Sequence, residues 1–198
     1  NPDIDKNTSP VLCLGPCEAS VGEMASAYTT FANGGIRCAP LFVTKIEDSH
    51  GNVIAKFQPL MTEVISEVSS YQMIDMLRAV IQGGTGSRLR YAYHLTADMG
   101  GKTGTTNNNA DGWFMGITPN LVSGCWVGGE DRDIHFDHTS MGQGATMALP
   151  VWAYYMQRVY ADKRLGYSQS TKFTMPAKFN PCQTADTINV NGIQEEYF

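Results

Sequence analysis

The sequence is poor in charge, and it lacks both a basic cluster and a long apolar run. Only 17% of its 198 residues are charged, and 14 basic residues stand against 19 acidic ones, for a formal net charge of −5. No run of Lys and Arg provides the footprint that nucleic acids require, which excludes them as partners. No stretch approaches the roughly 18 consecutive apolar residues of a transmembrane helix. The chain begins at Asn1 without a methionine, which predicts a longer parent protein.

Metal and disulfide signatures are also scarce. The five cysteines form no CxxC pair, and His135 and His138 have no cysteine pair beside them. This spacing gives no zinc signature, so we expect no metal and no cofactor. The cysteines are interpreted as small buried thiols, and a disulfide from Cys13 to Cys17 or Cys38 stays open if the compartment is oxidising.

Helix and strand signals alternate along a chain whose apolar fraction of 42% is enough for a core. A capping box of Ser20 and Glu23 predicts the start of a first helix, which Gly34 and Gly35 end. The other predicted elements are strands over 41–47 and 52–57, a helix over 66–82, a two-sided buried hairpin over 113–118 and 121–128, and a helix over 146–162. The buried stripe of the last helix is assigned to Trp152, Tyr155, Met156 and Val159.

The segment with chemical information runs from Gly100 to Thr106 and reads Gly-Gly-Lys-Thr-Gly-Thr-Thr. A phosphate-binding loop is excluded, because Thr96 stands where its first glycine is needed and a turn follows instead of a helix. An alternative use is acyl transfer to a serine. The cation of Lys102 and the hydroxyls of Thr103 and Thr105 suit a substrate carboxylate. Gly104 lets a substrate backbone approach, and the N–H after it can stabilise an oxyanion.

Several segments, in order, resemble one family. They are Glu18–Gly35, Gly84–Gly86, Lys102–Thr106, Asp111–Gly128 and Ala148–Trp152. Lys-Thr-Gly is itself a signature of penicillin-binding proteins and serine β-lactamases. Together these segments resemble the C-terminal part of the transpeptidase domain of class A, bifunctional penicillin-binding proteins. The resemblance implies an α+β fold in which an antiparallel sheet packs with helices, and it implies that the strand of Lys102 lies beside the hairpin.

The resemblance also implies a function. In such a synthase one domain polymerises glycan strands, and the other joins peptidoglycan stem peptides through a serine acyl-enzyme that β-lactams trap. Lys102 and Thr103 then belong to the third motif, Thr105 gives the oxyanion N–H and a carboxylate contact, and Gly104 and Thr106 line the substrate. The implied location of the parent protein is the periplasmic face of the inner membrane, with its anchor outside these residues.

The sequence departs from the family in one large respect. No serine starts an S-x-x-K or an S-x-N sequence; Ser20, for example, leads to Glu23, and Ser87 leads to Arg90. We therefore expect residues 1–164 to be an incomplete transpeptidase domain that is inactive alone, and 165–198 to be a tail or cover segment. Uncovered sheet edge predicts that the isolated chain self-associates.

Two other functions stay open from the sequence. One is a non-catalytic peptide-binding module that keeps the carboxylate-binding wall without a nucleophile. The other is a hydrolase of the D-Ala carboxypeptidase or β-lactamase type, which the Glu18–Gly35 match disfavours because that helix resembles the class A domains. An S-x-x-K sequence upstream of Asn1 would support acyl transfer, and its absence would favour the binding module.

Overall fold

The computed structural model describes residue 15 and residues 18–179, which form helices and three antiparallel sheets. The helices are α1 (Val21–Ala32), α2 (Glu67–Gln82), α3 (Arg88–Tyr91), α4 (Thr139–Gly142) and α5 (Ala148–Ala161), with short 3-10 turns at Asn107–Asn109 and Lys163–Leu165. The strands are β1 (Ile36–Cys38), β2 (Lys45–Glu47), β3 (Val53–Lys56), β4 (Met61–Glu63), β5 (Gly100–Thr105), β6 (Asp111–Thr118) and β7 (Leu121–Gly128). No helix within this part of the chain is long and apolar enough to cross a membrane.

The two long N-terminal helices begin and end where local sequence signals predict. At the start of α1 the Glu23 N–H donates to Ser20 Oγ at 3.2 Å, and the Ser20 N–H donates to a Glu23 carboxylate oxygen at 2.9 Å. Gly34 and Gly35 then adopt φ values of 61° and 94° and turn the chain away. At the start of α2 the Ser66 hydroxyl accepts the N–H of Ser69 at 3.1 Å. The capping box and both helices are confirmed.

The main sheet has the order β5-β6-β7, with every pair antiparallel. Lys102 stands opposite Met115, and Trp113 stands opposite Trp126. The expectation that the lysine strand lies beside the hairpin is therefore confirmed. Burial on both faces holds for β6, whereas Trp126 in β7 is 40% exposed because β7 is the outer strand of the hairpin.

Helices cover both faces of this sheet. A Cβ atom at Gly100 would lie 2.8 Å from Leu77 Cβ, which shows how closely β5 approaches α2. On the opposite face a Cβ at Gly116 would overlap the indole of Trp152 in α5. Trp152 is fully enclosed, and its Nε1–H donates to Ser123 Oγ at 2.7 Å. The architecture is the expected α+β one, with α1 and α2 on one face and α5 on the other.

Helix α5 corrects one detail of the predicted core. Tyr155, which the sequence assigns to the buried stripe, is 46% exposed. The buried residues of α5 are Ala148, Leu149, Trp152, Ala153, Met156 and Val159. Successive helical residues are rotated by about 100°, so Tyr155 lies about 90° from the middle of this stripe. The sequence assignment was wrong there because a tyrosine is apolar enough to extend the pattern.

The region between α1 and α2 also differs from expectation. The predicted strands over 41–47 and 52–57 are present only as the short hairpin of β2 and β3. A second ribbon, in which β1 pairs with β4, was not predicted. Both ribbons leave apolar side chains exposed, and Phe42, in the segment between β1 and β2, is 93% accessible to solvent. Strands of three or four exposed residues carry too little alternation for a sequence signal.

The structure narrows the disulfide options. Cys38 and Cys125 are free thiols, which removes a bridge to Cys38. Cys13 and Cys17 lie outside the described residues, so their pairing stays a prediction.

An ion pair joins α2 to Asp98, just before β5, and a hydrogen bond extends the contact to the segment after α5. The Arg78 guanidinium donates to both carboxylate oxygens of Asp98, at 2.8 and 2.6 Å. Asp98 also accepts the N–H of Phe173 at 3.0 Å, and the Phe173 ring lies under the guanidinium, 5.2 Å from its carbon. The two charged side chains are only 16% and 12% exposed. This cluster therefore anchors residues near Phe173 against the helix.

The carboxyl of Asp98 should make folding stability depend on pH. Its burial raises the pKa, but the hydrogen bonds from Arg78 and from the Phe173 N–H outweigh burial and leave the pKa below its ordinary value. A depressed pKa in the folded state means that the stabilisation is present above the unfolded value, near 4, and is lost as pH falls through the folded value.

We expect Asp98→Asn to lower the free energy of unfolding by about 2–4 kcal/mol at neutral pH, because the guanidinium loses its buried carboxylate partner and keeps only the more exposed Asp75. Between neutral pH and pH 3 the free energy of unfolding should also fall less for the variant than for the unmodified chain. Urea unfolding at several pH values checks both effects, with the exposed Asp131→Asn as control. Parallel pH profiles for Asp98→Asn and the unmodified chain would contradict the assignment.

Candidate active site at the open edge of strand β5

One edge of β5 carries no neighbouring strand in the described part of the chain. The Thr106 N–H donates to the Asp111 carbonyl of β6 at 3.1 Å. Backbone groups alternate in direction along a strand, so those of Gly104 and Lys102 also turn toward β6. The N–H and C=O groups of Thr103 and Thr105 then point the other way, out of the sheet edge. This edge presents two outward amide donors, about 7 Å apart along the strand.

Lys102 and Thr103 place a cation and a hydroxyl at the same edge. The Lys102 ammonium donates to the Thr103 carbonyl at 2.8 Å and remains exposed. The Thr103 hydroxyl lies 2.7 Å from the hydroxyl of Thr85, and either can be the donor. Thr85 belongs to the Gly84–Gly86 turn that follows α2, so two distant segments meet here.

The hydroxyl of Thr105 is oriented from the segment before α5. The Gly144 N–H donates to Thr105 Oγ1 at 3.1 Å. Because this oxygen accepts a hydrogen bond from the backbone, the Thr105 O–H is available to donate one to a ligand. Next to Gly144, the Ala145 carbonyl accepts from the guanidinium of Arg88 at 3.3 Å, which brings a second cation close to the edge.

Packing within the sheet also favours glycine at position 104. A Cβ at this position would lie 3.0 Å from Trp113 Cβ on the neighbouring strand. That distance is tighter than an ordinary van der Waals contact, so even alanine would push against the tryptophan. The sequence explains this glycine by substrate approach alone, whereas the structure adds packing against Trp113.

Thr106 ends the strand with a closed set of hydrogen bonds. Its hydroxyl donates to Asp111 Oδ2 at 2.8 Å and accepts the Asp111 N–H at 3.0 Å. The other carboxylate oxygen of Asp111 accepts from Trp126 Nε1 at 2.9 Å. Thr106 thus fixes the end of β5 and is turned toward β6.

The structure therefore brings Lys102, Thr103 and Thr105 together on one open edge, with Gly104 between them. It adds Thr85 and Gly144, to which the sequence assigns no role. The only sequence signal for Thr85 was the Gly-Thr-Gly triplet within the family resemblance, and Gly144 carried none. Chemically, the edge can bind an anionic group, and an outward N–H such as that of Thr105 can donate to a developing negative oxygen.

Two other features lie outside this site. A groove of about 400 Å³ opens beside Pro119 and Asn120, between the end of α1, α2 and Phe173, and none of the β5 side chains lines it. Within the described residues, no group of three His, Cys, Asp or Glu side chains could hold a metal ion.

Comparison with known sequences identifies relatives of this chain. The family model "Penicillin binding protein transpeptidase domain" matches residues 7–123, a range that includes all of β5. Penicillin-binding protein 1A of Aquifex aeolicus is 38% identical over 148 residues, which are 75% of this chain and 20% of the relative. Penicillin-binding protein 1A of Neisseria lactamica is 38% identical over 156 residues, which are 74% and 18%. The chain thus spans about a fifth of the length of these curated relatives.

Solved structures agree on the fold. Penicillin-binding protein 1A from Haemophilus influenzae superimposes with a TM-score of 0.72 at 26% identity, over 87% of this chain and 30% of that one. The PonA1 protein from Mycobacterium tuberculosis, solved in complex with penicillin V, gives 0.67 at 24% identity, over 88% and 46%. Since the family model covers more than half of the chain, from before α1 to within β7, this chain belongs to the penicillin-binding protein transpeptidase domain family.

Proposed function

We propose that this chain forms one wall of the acyl-transfer site of a serine D-alanyl-D-alanine transpeptidase. The enzyme would cross-link peptidoglycan stem peptides and would be trapped by β-lactams. The observation that carries the proposal is the open edge of β5, where the outward amides of Thr103 and Thr105 flank Gly104 and stand beside the Lys102 ammonium. Such an edge suits an extended peptide that ends in a carboxylate.

Recognition of the terminal carboxylate falls to the cation and the hydroxyls. The Lys102 ammonium attracts the carboxylate, and the hydroxyls of Thr103 and Thr105 donate to its oxygens. The Gly144 N–H donates to the Thr105 hydroxyl oxygen, so the Thr105 O–H is available to donate to the substrate. Gly104 lets the peptide backbone lie close to the strand, and Thr106 keeps the end of the wall in place.

Catalysis uses the backbone of the same strand. A serine hydroxyl attacks the carbonyl of the penultimate D-Ala, whose oxygen becomes negative while the serine proton passes to a base. The outward N–H of Thr105 donates to that oxygen. The bond to the terminal D-Ala then breaks, this D-Ala leaves with a proton, and an amine of a second stem peptide takes the acyl group from the serine.

The serine and its base must come from outside these 198 residues, since no S-x-x-K sequence occurs among them. We therefore propose that the chain works as part of a longer, membrane-anchored cell-wall synthase, with its site on the periplasmic side. The glycan-polymerising domain of that synthase and the membrane anchor belong to the same proposal. In this proposal residues 1–164 are part of the transpeptidase domain, and residues 165–198 are a tail or a cover segment.

The decisive measurement is acylation of the full-length gene product by a fluorescent penicillin. We expect a covalent adduct, and we expect Lys102→Met to slow its formation by about 10- to 100-fold, because a charge-assisted hydrogen bond is lost. Lys56→Met on the exposed ribbon is the matched control and should change nothing. The 198-residue chain alone should form no adduct.

The outcomes separate the alternatives. An adduct on the isolated chain would contradict the assignment of the nucleophile to other residues. A full-length protein that binds an acyl-D-Ala-D-Ala peptide without ever being acylated would be the binding module. An adduct that water releases quickly, with no cross-linked product from an added amine, would be the hydrolase.

Self-association of the isolated chain is a separate prediction. The open edge of β5 and exposed side chains such as Phe42 support it, because both can pair with a second copy. Light scattering should show a mass that rises with concentration, and Phe42→Ser should reduce this rise. A monodisperse monomer over the whole concentration range would contradict the prediction.

A further inference from the structure

We propose that Thr85 is a positioning residue of this site, which holds the Thr103 hydroxyl in the orientation that binds the substrate carboxylate. The inference rests on the proposed function and adds a residue to it. Its basis is the 2.7 Å contact between the two hydroxyl oxygens, which joins the turn after α2 to the open edge of β5.

The contact is poorly suited to a role in stability. The hydrogen bond is exposed, and Thr85 itself is accessible to solvent. A hydroxyl pair that water can replace adds little to the free energy of folding. What the bond does determine is the direction of the Thr103 hydroxyl, which would otherwise rotate.

The turn that carries Thr85 is packed firmly enough to act as a support. The Gly86 N–H donates to the Val80 carbonyl at 3.0 Å. A Cβ at Gly84 would lie 2.9 Å from Val80 Cα, and a Cβ at Gly86 would lie 2.6 Å from Ile81 Cδ1. Ile81 is completely buried. The two glycines therefore allow the turn to lie directly on the end of α2, with Thr85 between them.

Helix α2 in turn packs closely against β5, the strand that carries Thr103. Gly100, at the start of β5, approaches Leu77 so closely that a Cβ there would lie 2.8 Å from Leu77 Cβ. Thr85 and Thr103 thus belong to elements that pack on each other without a gap. Their relative position is set before substrate arrives, so binding need not order the Thr103 side chain.

The chemistry gives the contact a direction when substrate is bound. The Thr103 hydroxyl donates a hydrogen bond to the carboxylate. Its oxygen can then accept a hydrogen bond from the Thr85 hydroxyl. Thr105 is arranged in the same way, since its oxygen accepts the Gly144 N–H. Each hydroxyl at the edge therefore has a donor behind it, and a hydrogen bond received by an oxygen strengthens the one that its own proton makes.

The experiment compares Thr85 variants of the full-length gene product in the rate of acylation by penicillin. Thr85→Val keeps the branched shape without the hydroxyl and should slow acylation by about 5- to 10-fold, the loss of one hydrogen bond. Thr85→Ala should give the same loss and covers the case in which valine fails to fold. Thr85→Ser restores the hydroxyl and should come within about 2-fold of the original rate. Thr62→Val, on exposed β4, is the matched control and should have no effect.

Two further readouts distinguish positioning from a general disturbance. In a Thr103→Val background, Thr85→Val should cause no additional loss, because its effect passes through Thr103. With penicillin methyl ester, which lacks the carboxylate charge, Thr85→Val should slow acylation much less than with penicillin. Additive losses in the double variant, or equal losses with both compounds, would overturn the assignment.

Failure of the inference and failure of the proposed function give different results. If the unmodified full-length protein is acylated and Thr85→Val and Thr85→Ala react at the same rate as it does, the positioning role is wrong and the transpeptidase function stands. If the unmodified protein is not acylated at all, the function fails and the inference fails with it.

Discussion

The whole arrangement depends on β5, which pairs with β6 on one side and, within residue 15 and residues 18–179, with no strand on the other. Pairing with β6 uses the backbone groups of every second residue, so the remaining groups must point out of the sheet. A shift of the register by one residue would turn Thr103 and Thr105 into the sheet and present Lys102 and Gly104 amides instead. The antiparallel register of a single strand pair therefore decides which amides and hydroxyls can meet a ligand.

Close packing around glycines holds that register. Gly100 lies against α2, and Gly116 lies against the indole of Trp152 in α5, on the opposite face of the sheet. Any side chain at either position would force a helix away from the sheet. The ion pair of Arg78 and Asp98 adds a fixed point at the same end of α2, since Asp98 lies just before β5 and also accepts the N–H of Phe173. The edge is thus rigid because both faces behind it are full.

What could be predicted from the sequence is what local chemistry determines. Ser20 and Glu23 satisfy each other's backbone within one turn, and the Lys102–Thr105 segment carries its own hydroxyls and cation. The contacts of Thr85 with Thr103, and of Gly144 with Thr105, join residues 18 and 39 positions apart. Nothing in either segment alone indicates such a contact, because it depends on how α2 and α5 pack against the sheet. The predicted burial of Tyr155 was wrong for a related reason, because periodicity cannot show where a buried stripe ends.

If the edge of β5 binds a carboxylate as proposed, its exposure to water means that a facing surface would strengthen this binding. Two unit charges 4 Å apart attract each other by about 1 kcal/mol in water but by about 4 kcal/mol at the effective dielectric of a protein surface. Lys102 is exposed, so its attraction for a carboxylate is weak until another surface excludes water from the edge. A segment that brings a serine close to Thr105 would also provide this cover. The same segment would then supply the nucleophile and exclude water. The edge would therefore bind a carboxylate strongly only when that segment is in place.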